Sequence, residues 1–121
     1  MEMHYCEICG QPYAELHHIV FRSENKALED SEFNFKYLCH YHHRDHKEGI
    51  HHNRKFNLQE KRKLQERLFN MISKESTEEE IGQALQLKDK NLKKILRTIL
   101  PTAGKYNRED VVRACMGGKL Y

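Results

Sequence analysis

The chain lacks tryptophan, and hydrophobic residues make up only 38% of its 121 residues. A domain this small and polar builds a modest core, and a structural metal often compensates for that. All of its apolar runs are shorter than the roughly 20 residues that span a bilayer, which argues against a membrane protein. Its first five residues also lack the basic and then apolar pattern of a signal sequence. We therefore expect an intracellular protein, whose cysteines stay reduced and can bind metal.

Internal repeats and low-complexity segments are absent too, but the charge is unevenly distributed. The net charge is +3, yet residues 1–56 carry seven Lys or Arg against nine Asp or Glu, whereas residues 57–121 carry fourteen against nine. A basic surplus of this kind favours an acidic partner, most simply a nucleic acid. The sequence thus divides into a first part, residues 1–56, and a basic second part, residues 57–121.

Cysteine and histidine are concentrated in the first part. All nine histidines and three of the four cysteines lie within residues 1–52. The pairs Cys6-x-x-Cys9 and Cys39-x-x-His42 have the spacing with which zinc knuckles provide four tetrahedral sulfur or nitrogen ligands. A redox Cys-x-x-Cys is the alternative, but no βαβ pattern typical of thioredoxin surrounds it. We predict a structural Zn²⁺ site on these four residues and a buried core thiol at Cys115.

Three further histidines and an asparagine suggest a second site, namely His17, His18, His43 and Asn34. Adjacent residues on a strand point to opposite faces, so His17 and His18 suit two roles, one metal ligand and one free imidazole. An imidazole with a pKa of about 6.5 can take a proton from water at neutral pH, as phosphodiester hydrolysis requires. A divalent metal on His17 and His43 could neutralise charge on the phosphate. The alternative is a histidine-rich surface without a catalytic metal.

The first part is predicted to be a ββα unit. Residues 14–21 and 33–38 have the composition of two strands, and a polar loop over residues 22–32 separates them. A short helix over residues 39–48 would end at Gly49. Such a unit is too small to fold reliably without metal. The predicted fold class is therefore a small α+β protein, with a zinc-stabilised ββα-metal module followed by a helical region.

Helical periodicity dominates the second part. An apolar stripe predicts a helix over residues 57–73, and it consists of Leu64, Leu68, Met71 and Ile72. Three more helices are predicted from N-terminal capping signals, which are the Ser76–Glu79 capping box, Asp89 and Asn107. The third of these four helices would end at Pro101 and the last at Gly117.

Residues 77–97 fit a helix-turn-helix pattern, with apolar or small residues where that motif packs its two helices. The polar side of its second helix carries four cations, Lys90, Lys93, Lys94 and Arg97. Such residues contact DNA phosphates and give affinity and salt dependence rather than sequence choice. The alternative is a helical bundle that packs against the first part or a second subunit, with its lysines merely solvated.

In chain order, the motifs of the first part read Cys-x-x-Cys, Leu-His-His-Ile and Asn-x-x-x-Leu-Cys-x-x-His-His. This order resembles that of the HNH endonucleases, whose ββα-metal module cuts DNA, and in particular their small phage and prophage members. The resemblance covers residues 4–56. It implies that His17 and His43 bind the catalytic metal, that His18 is the general base and that Asn34 orients this base by hydrogen bonding.

The third protein ligand of the catalytic metal has two candidates. His51 follows Gly49 as in the Gly-x-His of phage relatives, whereas His46 shares a helix face with His43, and we favour His51. The resemblance implies a cytoplasmic enzyme, encoded by a bacterium or a phage, that hydrolyses DNA with Mg²⁺, Mn²⁺ or a transition ion. The other function that the residues allow is a non-catalytic, zinc-stabilised DNA-binding regulator. Strand choice, site preference and formation of a homodimer stay open.

Overall fold

The computed structural model describes residues 3–121 of the chain. Within this range it is an α+β fold with five α-helices and two antiparallel two-stranded sheets, which confirms the predicted class. The elements in chain order are β1 Glu15–His18, β2 Phe35–Leu38, α1 His40–Arg44, α2 Arg54–Met71, β3 Glu75–Ser76, α3 Glu78–Leu85, α4 Asp89–Leu96, β4 Tyr106–Asn107 and α5 Arg108–Cys115. No helix in this range is long and apolar enough to cross a membrane.

Strands β1 and β2 pair with each other, His17 lies opposite Lys36, and α1 follows β2 directly. All three elements are shorter than predicted, with four residues in each strand and a helix that ends at Arg44. The helix ends early because the carboxylate of Asp45 accepts hydrogen bonds from the backbone N–H groups two and three residues later. Such a side-chain contact fixes a turn in place of another helical turn.

Helix α2 buries the predicted apolar stripe, except at one position. The buried members are Leu64, Leu68 and Ile72. Met71 lies at the protein surface instead. The helix begins at Arg54, three residues earlier than predicted, because the side chain of Asn53 caps it by accepting a backbone N–H.

Helix α3 has a capping box, but it begins at Thr77, one residue later than predicted. Thr77 accepts the backbone N–H of Glu80, and the Glu80 carboxylate accepts the backbone N–H of Thr77. Ser76 is not the cap because it pairs with β4 as part of β3. The sheet of β3 and β4 was not predicted, since strands of two residues are too short to show a period of two.

The predicted N-cap residue is correct for α5 but not for α4. Lys88, not Asp89, is the N-cap residue of α4, and it makes no side-chain capping bond. Helix α4 ends at Leu96, five residues before Pro101, so the proline does not set its end as predicted. Asn107 caps α5 as predicted.

The main hydrophobic core combines both parts of the chain. Helices α2 to α5 provide most of it, and the loop between β1 and β2 adds Ile19, Val20, Ala27 and Leu28. Cys115 is fully buried in this core, as predicted, and burial raises the pKa of its thiol to about 12. A smaller cluster contains Cys6, Leu38, Cys39 and Ile50. The loop that follows His17 and His18 is therefore held against the helical region.

Candidate metal centres

Cys6, Cys9, Cys39 and His42 form a cluster whose ligand atoms all lie within 4.8 Å of one another. The Sγ atoms of Cys9 and Cys39 are 3.7 Å apart, and the Sγ of Cys6 is 3.6 Å from the Nδ1 of His42. Around a tetrahedral Zn²⁺ with bonds of about 2.3 Å to sulfur and about 2.1 Å to nitrogen, two sulfurs are about 3.8 Å apart and a sulfur and a nitrogen about 3.6 Å. The four residues therefore fit a zinc ion, with His42 as an Nδ1 ligand.

Backbone hydrogen bonds favour the thiolate form of Cys6 in this cluster. The N–H of Ile8 lies 3.4 Å from the Sγ of Cys6, and the N–H of His42 lies 3.5 Å from the Sγ of Cys39. Burial raises the pKa of the Cys6 thiol, but backbone N–H groups, first that of Cys39, outweigh burial and lower it to about 6. Because the thiolate is the form that binds metal, the folded backbone prepares this ligand for zinc.

His17, His43 and His51 form a second cluster, with one nitrogen of each ring within 4.8 Å of the others. The Nε2 atoms of His43 and His51 are 2.9 Å apart. Two nitrogens bound at about 2.1 Å and at right angles around one metal would be about 3.0 Å apart, so this pair fits adjacent positions on one ion. The Nε2 of His17 is buried and has no hydrogen-bond partner within residues 3–121, and a metal would satisfy it.

The turn after α1 brings His51 back to His43. The N–H of Gly49 donates to the carbonyl of Asp45 at 3.1 Å. A Cβ atom on Gly49 would collide with the backbone of Asp45, so this close approach requires glycine. His51 therefore joins the cluster, whereas His46, the other candidate for the third ligand, lies outside it.

Glu15, which was not among the predicted site residues, orients His43. Its Oε1 lies 2.8 Å from the Nδ1 of His43, and it also accepts from the Nε of Arg44 at 3.1 Å. The contact with His43, followed by that with Arg44, lowers the pKa of the Glu15 carboxyl, so it is ionised at neutral pH. The Nε2 of His43 is then the nitrogen that would face a metal, as in carboxylate–histidine–metal sites. Glu15 lies two residues before His17, on the same face of β1, and this spacing was the sequence signal for Glu15.

The histidine cluster is electrostatically suited to a cation. Burial, and then the neighbouring His51 and His43, lower the pKa of His17 to about 3. Partial burial, followed by His43, also lowers the pKa of His51. At neutral pH these two rings therefore carry no charge, and each has a lone pair to offer to a metal.

His18 lines the same open cleft of about 450 Å³ as the three clustered histidines, but it belongs to neither cluster among the described residues. Its Nε2 lies 2.7 Å from the carbonyl oxygen of Glu29. Asn34 was expected to orient His18 by hydrogen bonding, and within residues 3–121 no hydrogen bond joins their two side chains. The buried amide of Asn34 instead bonds the N–H and carbonyl of Val20 and the carbonyl of Leu28. Asn34 therefore fixes the loop that presents Glu29 to His18.

The four cations predicted to contact DNA lie elsewhere, on the exposed face of α4. They are Lys90, Lys93, Lys94 and Arg97. Within the described range they belong to neither metal cluster.

No model of a known protein family, no curated protein and no solved structure matches this chain. The interpretation of the site therefore depends on the geometry of its own residues. That geometry consists of a four-ligand cluster rich in sulfur, and of a three-histidine cluster that opens into a cleft beside a further imidazole.

Proposed function

We propose that the protein is a metal-dependent endonuclease that hydrolyses DNA phosphodiester bonds, as its resemblance to the HNH endonucleases implies. The observation that supports this is the position of His18, which lines the same cleft as the histidine cluster without belonging to it. Metal ligands and a free base in one cleft suit attack of water on a phosphate. The sulfur-rich cluster has four protein ligands, which is typical of zinc that stabilises a fold.

The carbonyl of Glu29 determines which nitrogen of His18 acts as the base. A carbonyl oxygen can only accept, so the 2.7 Å contact requires a proton on the Nε2 of His18. The Nδ1 is then the unprotonated nitrogen, and it takes the proton from the attacking water. Asn34 acts as a positioning residue, because its amide holds the loop that carries Glu29.

His17, His43 and His51 would hold one divalent ion. When bound, this ion supplies Lewis-acid stabilisation of the charge that develops on the phosphate and the leaving oxygen. Three imidazole nitrogens suit a transition ion better than Mg²⁺, which prefers oxygen. Arg22 and Arg44 also border the cleft, so its rim is attractive to the flanking phosphates of DNA.

Incubation of the purified protein with supercoiled plasmid and Mn²⁺, Ni²⁺ or Mg²⁺ tests this proposal. We expect nicked or linear plasmid, and His18→Ala should lower the rate roughly 10²–10⁴-fold while zinc content and fold are kept. His46→Ala is the matched control, because His46 is exposed and outside both clusters, and it should cleave at the wild-type rate. Plasmid binding without cleavage for every metal would contradict the proposal and favour the DNA-binding regulator.

A further inference from the structure

The exposed face of α4 carries positive charge that nothing in the described structure neutralises. Its cations Lys90, Lys93, Lys94 and Arg97 are exposed, and none of them forms an ion pair within residues 3–121. The opposite face of the helix is buried through Leu92, Ile95 and Leu96. The cationic face is therefore oriented outward by the packing of the core.

Helices α3 and α4 are joined as in a helix-turn-helix. The turn consists of residues 86–88, and Gln86 adopts the left-handed conformation, with φ of 52°. Gly82 of α3 faces Leu92 of α4 so closely that a Cβ on the glycine would be 3.0 Å from the leucine side chain. The small residue at this position lets the two helices approach each other, and the contact fixes the direction of α4.

The basic face of α4 is continuous with the loop whose Glu29 carbonyl contacts the candidate base His18. Helix α4 packs against the turn at residues 26–28, and Lys26 of this turn lines one open cleft of about 390 Å³ together with Lys94 and Arg97. Among residues 3–121, Glu24 is the only acid that lines this cleft, and it forms an ion pair with Lys61. The next residue after the turn is Glu29, whose carbonyl contacts His18.

We propose that α4 and Lys26 form a second DNA-contacting surface, which binds the sugar–phosphate backbone of a duplex beside the cleavage site. The identity of the polymer rests on the proposed nuclease function, whereas the surface itself rests on its unpaired charge. The first turn of α3 carries Glu78, Glu79 and Glu80, which would repel phosphates. DNA would therefore contact only α4 and the turn at residues 26–28. Such contacts with phosphates provide affinity rather than recognition of a particular base sequence.

Fluorescence anisotropy with a labelled DNA duplex, at several KCl concentrations and without added divalent metal, tests this surface. The variant carries Lys90→Gln, Lys93→Gln, Lys94→Gln and Arg97→Gln. We expect its affinity at low salt to fall at least about tenfold, and the slope of log K against log [KCl] to flatten by about one for each phosphate that the variant no longer neutralises. The matched control removes four exposed charges from α2 and the segment after it, through Arg62→Gln, Lys63→Gln, Arg67→Gln and Lys74→Gln.

If the α4 variant kept the wild-type DNA affinity and salt slope, the proposed DNA-contacting surface would be refuted. Equal decreases of affinity in the α4 and control variants would also refute it, because such a result would indicate a general effect of net charge. Cleavage of plasmid separates this proposal from the nuclease itself. If the wild-type protein binds DNA through α4 but no metal supports cleavage, the surface stands and the nuclease fails. If cleavage occurs and the α4 variant cleaves at the wild-type rate even at limiting DNA, the nuclease stands and the surface fails.

Discussion

The carboxylate of Glu15 lies 2.8 Å from the Nδ1 of His43, and this contact determines which nitrogen of His43 points into the histidine cluster. The Nε2 of the same ring is 2.9 Å from the Nε2 of His51. An ionised carboxylate in this position fixes both the tautomer and the orientation of a ligand histidine, and it makes the ring a stronger donor to metal.

Replacement of Glu15 by glutamine should weaken metal binding at the histidine cluster. Glutamine keeps the shape but loses the charge, and removal of such a partner typically costs about 10–100-fold in metal affinity. Calorimetric titration of zinc-loaded protein with Mn²⁺ or Co²⁺ measures the change. Glu32→Gln, which alters an exposed carboxylate outside both clusters, should bind like the wild type, and an equal decrease in both variants would contradict the role of Glu15.

Replacement of Cys39 by serine should abolish zinc binding and unfold the first part of the chain. Cys39 provides one of the four candidate ligands, and the small apolar cluster around it is too limited to fold without metal. Elemental analysis and circular dichroism measure zinc content and folding. Cys115→Ala is the control, because it removes the one cysteine outside the cluster and should leave the zinc content unchanged. A Cys39→Ser protein with full zinc content would exclude this residue as a ligand.

Replacement of Asn34 by alanine should destabilise the whole protein. The side chain is fully buried and makes three hydrogen bonds to backbone groups of Val20 and Leu28. Since buried backbone groups would be left without their partners, we expect the free energy of unfolding to fall by about 3 kcal/mol or more. Urea denaturation measures this, and Asn70→Ala, at an exposed position, should change it by less than about 0.5 kcal/mol. A small effect of Asn34→Ala would show that the loop is held by other contacts.

Lys61 connects α2 with the loop beside the histidine cluster. Its Nζ is 2.8 Å from the Oε2 of Glu24 and 4.6 Å from the centre of the Phe21 ring. The ring of Phe21 in turn packs against the rings of His17 and His51, with centroids 5.7 Å and 5.6 Å away. Helix α2 therefore supports one wall of the candidate catalytic cleft.

We expect Lys61→Met to lower the free energy of unfolding by about 2–3 kcal/mol, because it leaves Glu24 without its cation. This is below the full cost of breaking a buried pair, since Glu24 is 27% exposed and water screens part of the interaction. Lys63→Met is the control, because the Lys63 side chain is 66% exposed and its contact with Glu60 should contribute little. Thermal or urea denaturation that gives equal values for both variants would contradict the structural role of Lys61.

Local signals in the sequence predicted the helices well, whereas contacts between distant residues were missed. Asn107 caps its helix, and Leu64 and Leu68 are buried, because capping and periodicity depend on neighbours along the chain. The partners of Glu15 and Lys61 lie 28 and 37 residues away, so the local sequence could place Glu15 on the face of His17 but could not identify either partner.

At the candidate site, too, local signals were predicted from the sequence and long-range contacts were not. The spacing of the two cysteine-containing pairs was sufficient to predict a cluster that fits zinc, because chelation by residues three positions apart is a local property. The sequence did not show through which contacts Asn34 would act on His18, since the direction of a buried amide depends on how the loop packs. The motif therefore predicted the region in which Asn34 lies, but not the groups to which its side chain bonds.

We expect two metal ions to occupy two separate centres, one closed by sulfur and one open beside His18. Anomalous diffraction at the zinc and manganese edges, from crystals grown with both metals, tests this most directly. We predict zinc bound by Cys6, Cys9, Cys39 and His42, and manganese bound by His17, His43 and His51. A single zinc ion in the sulfur cluster, with the three histidines turned away from one another and no manganese between them, would contradict the account.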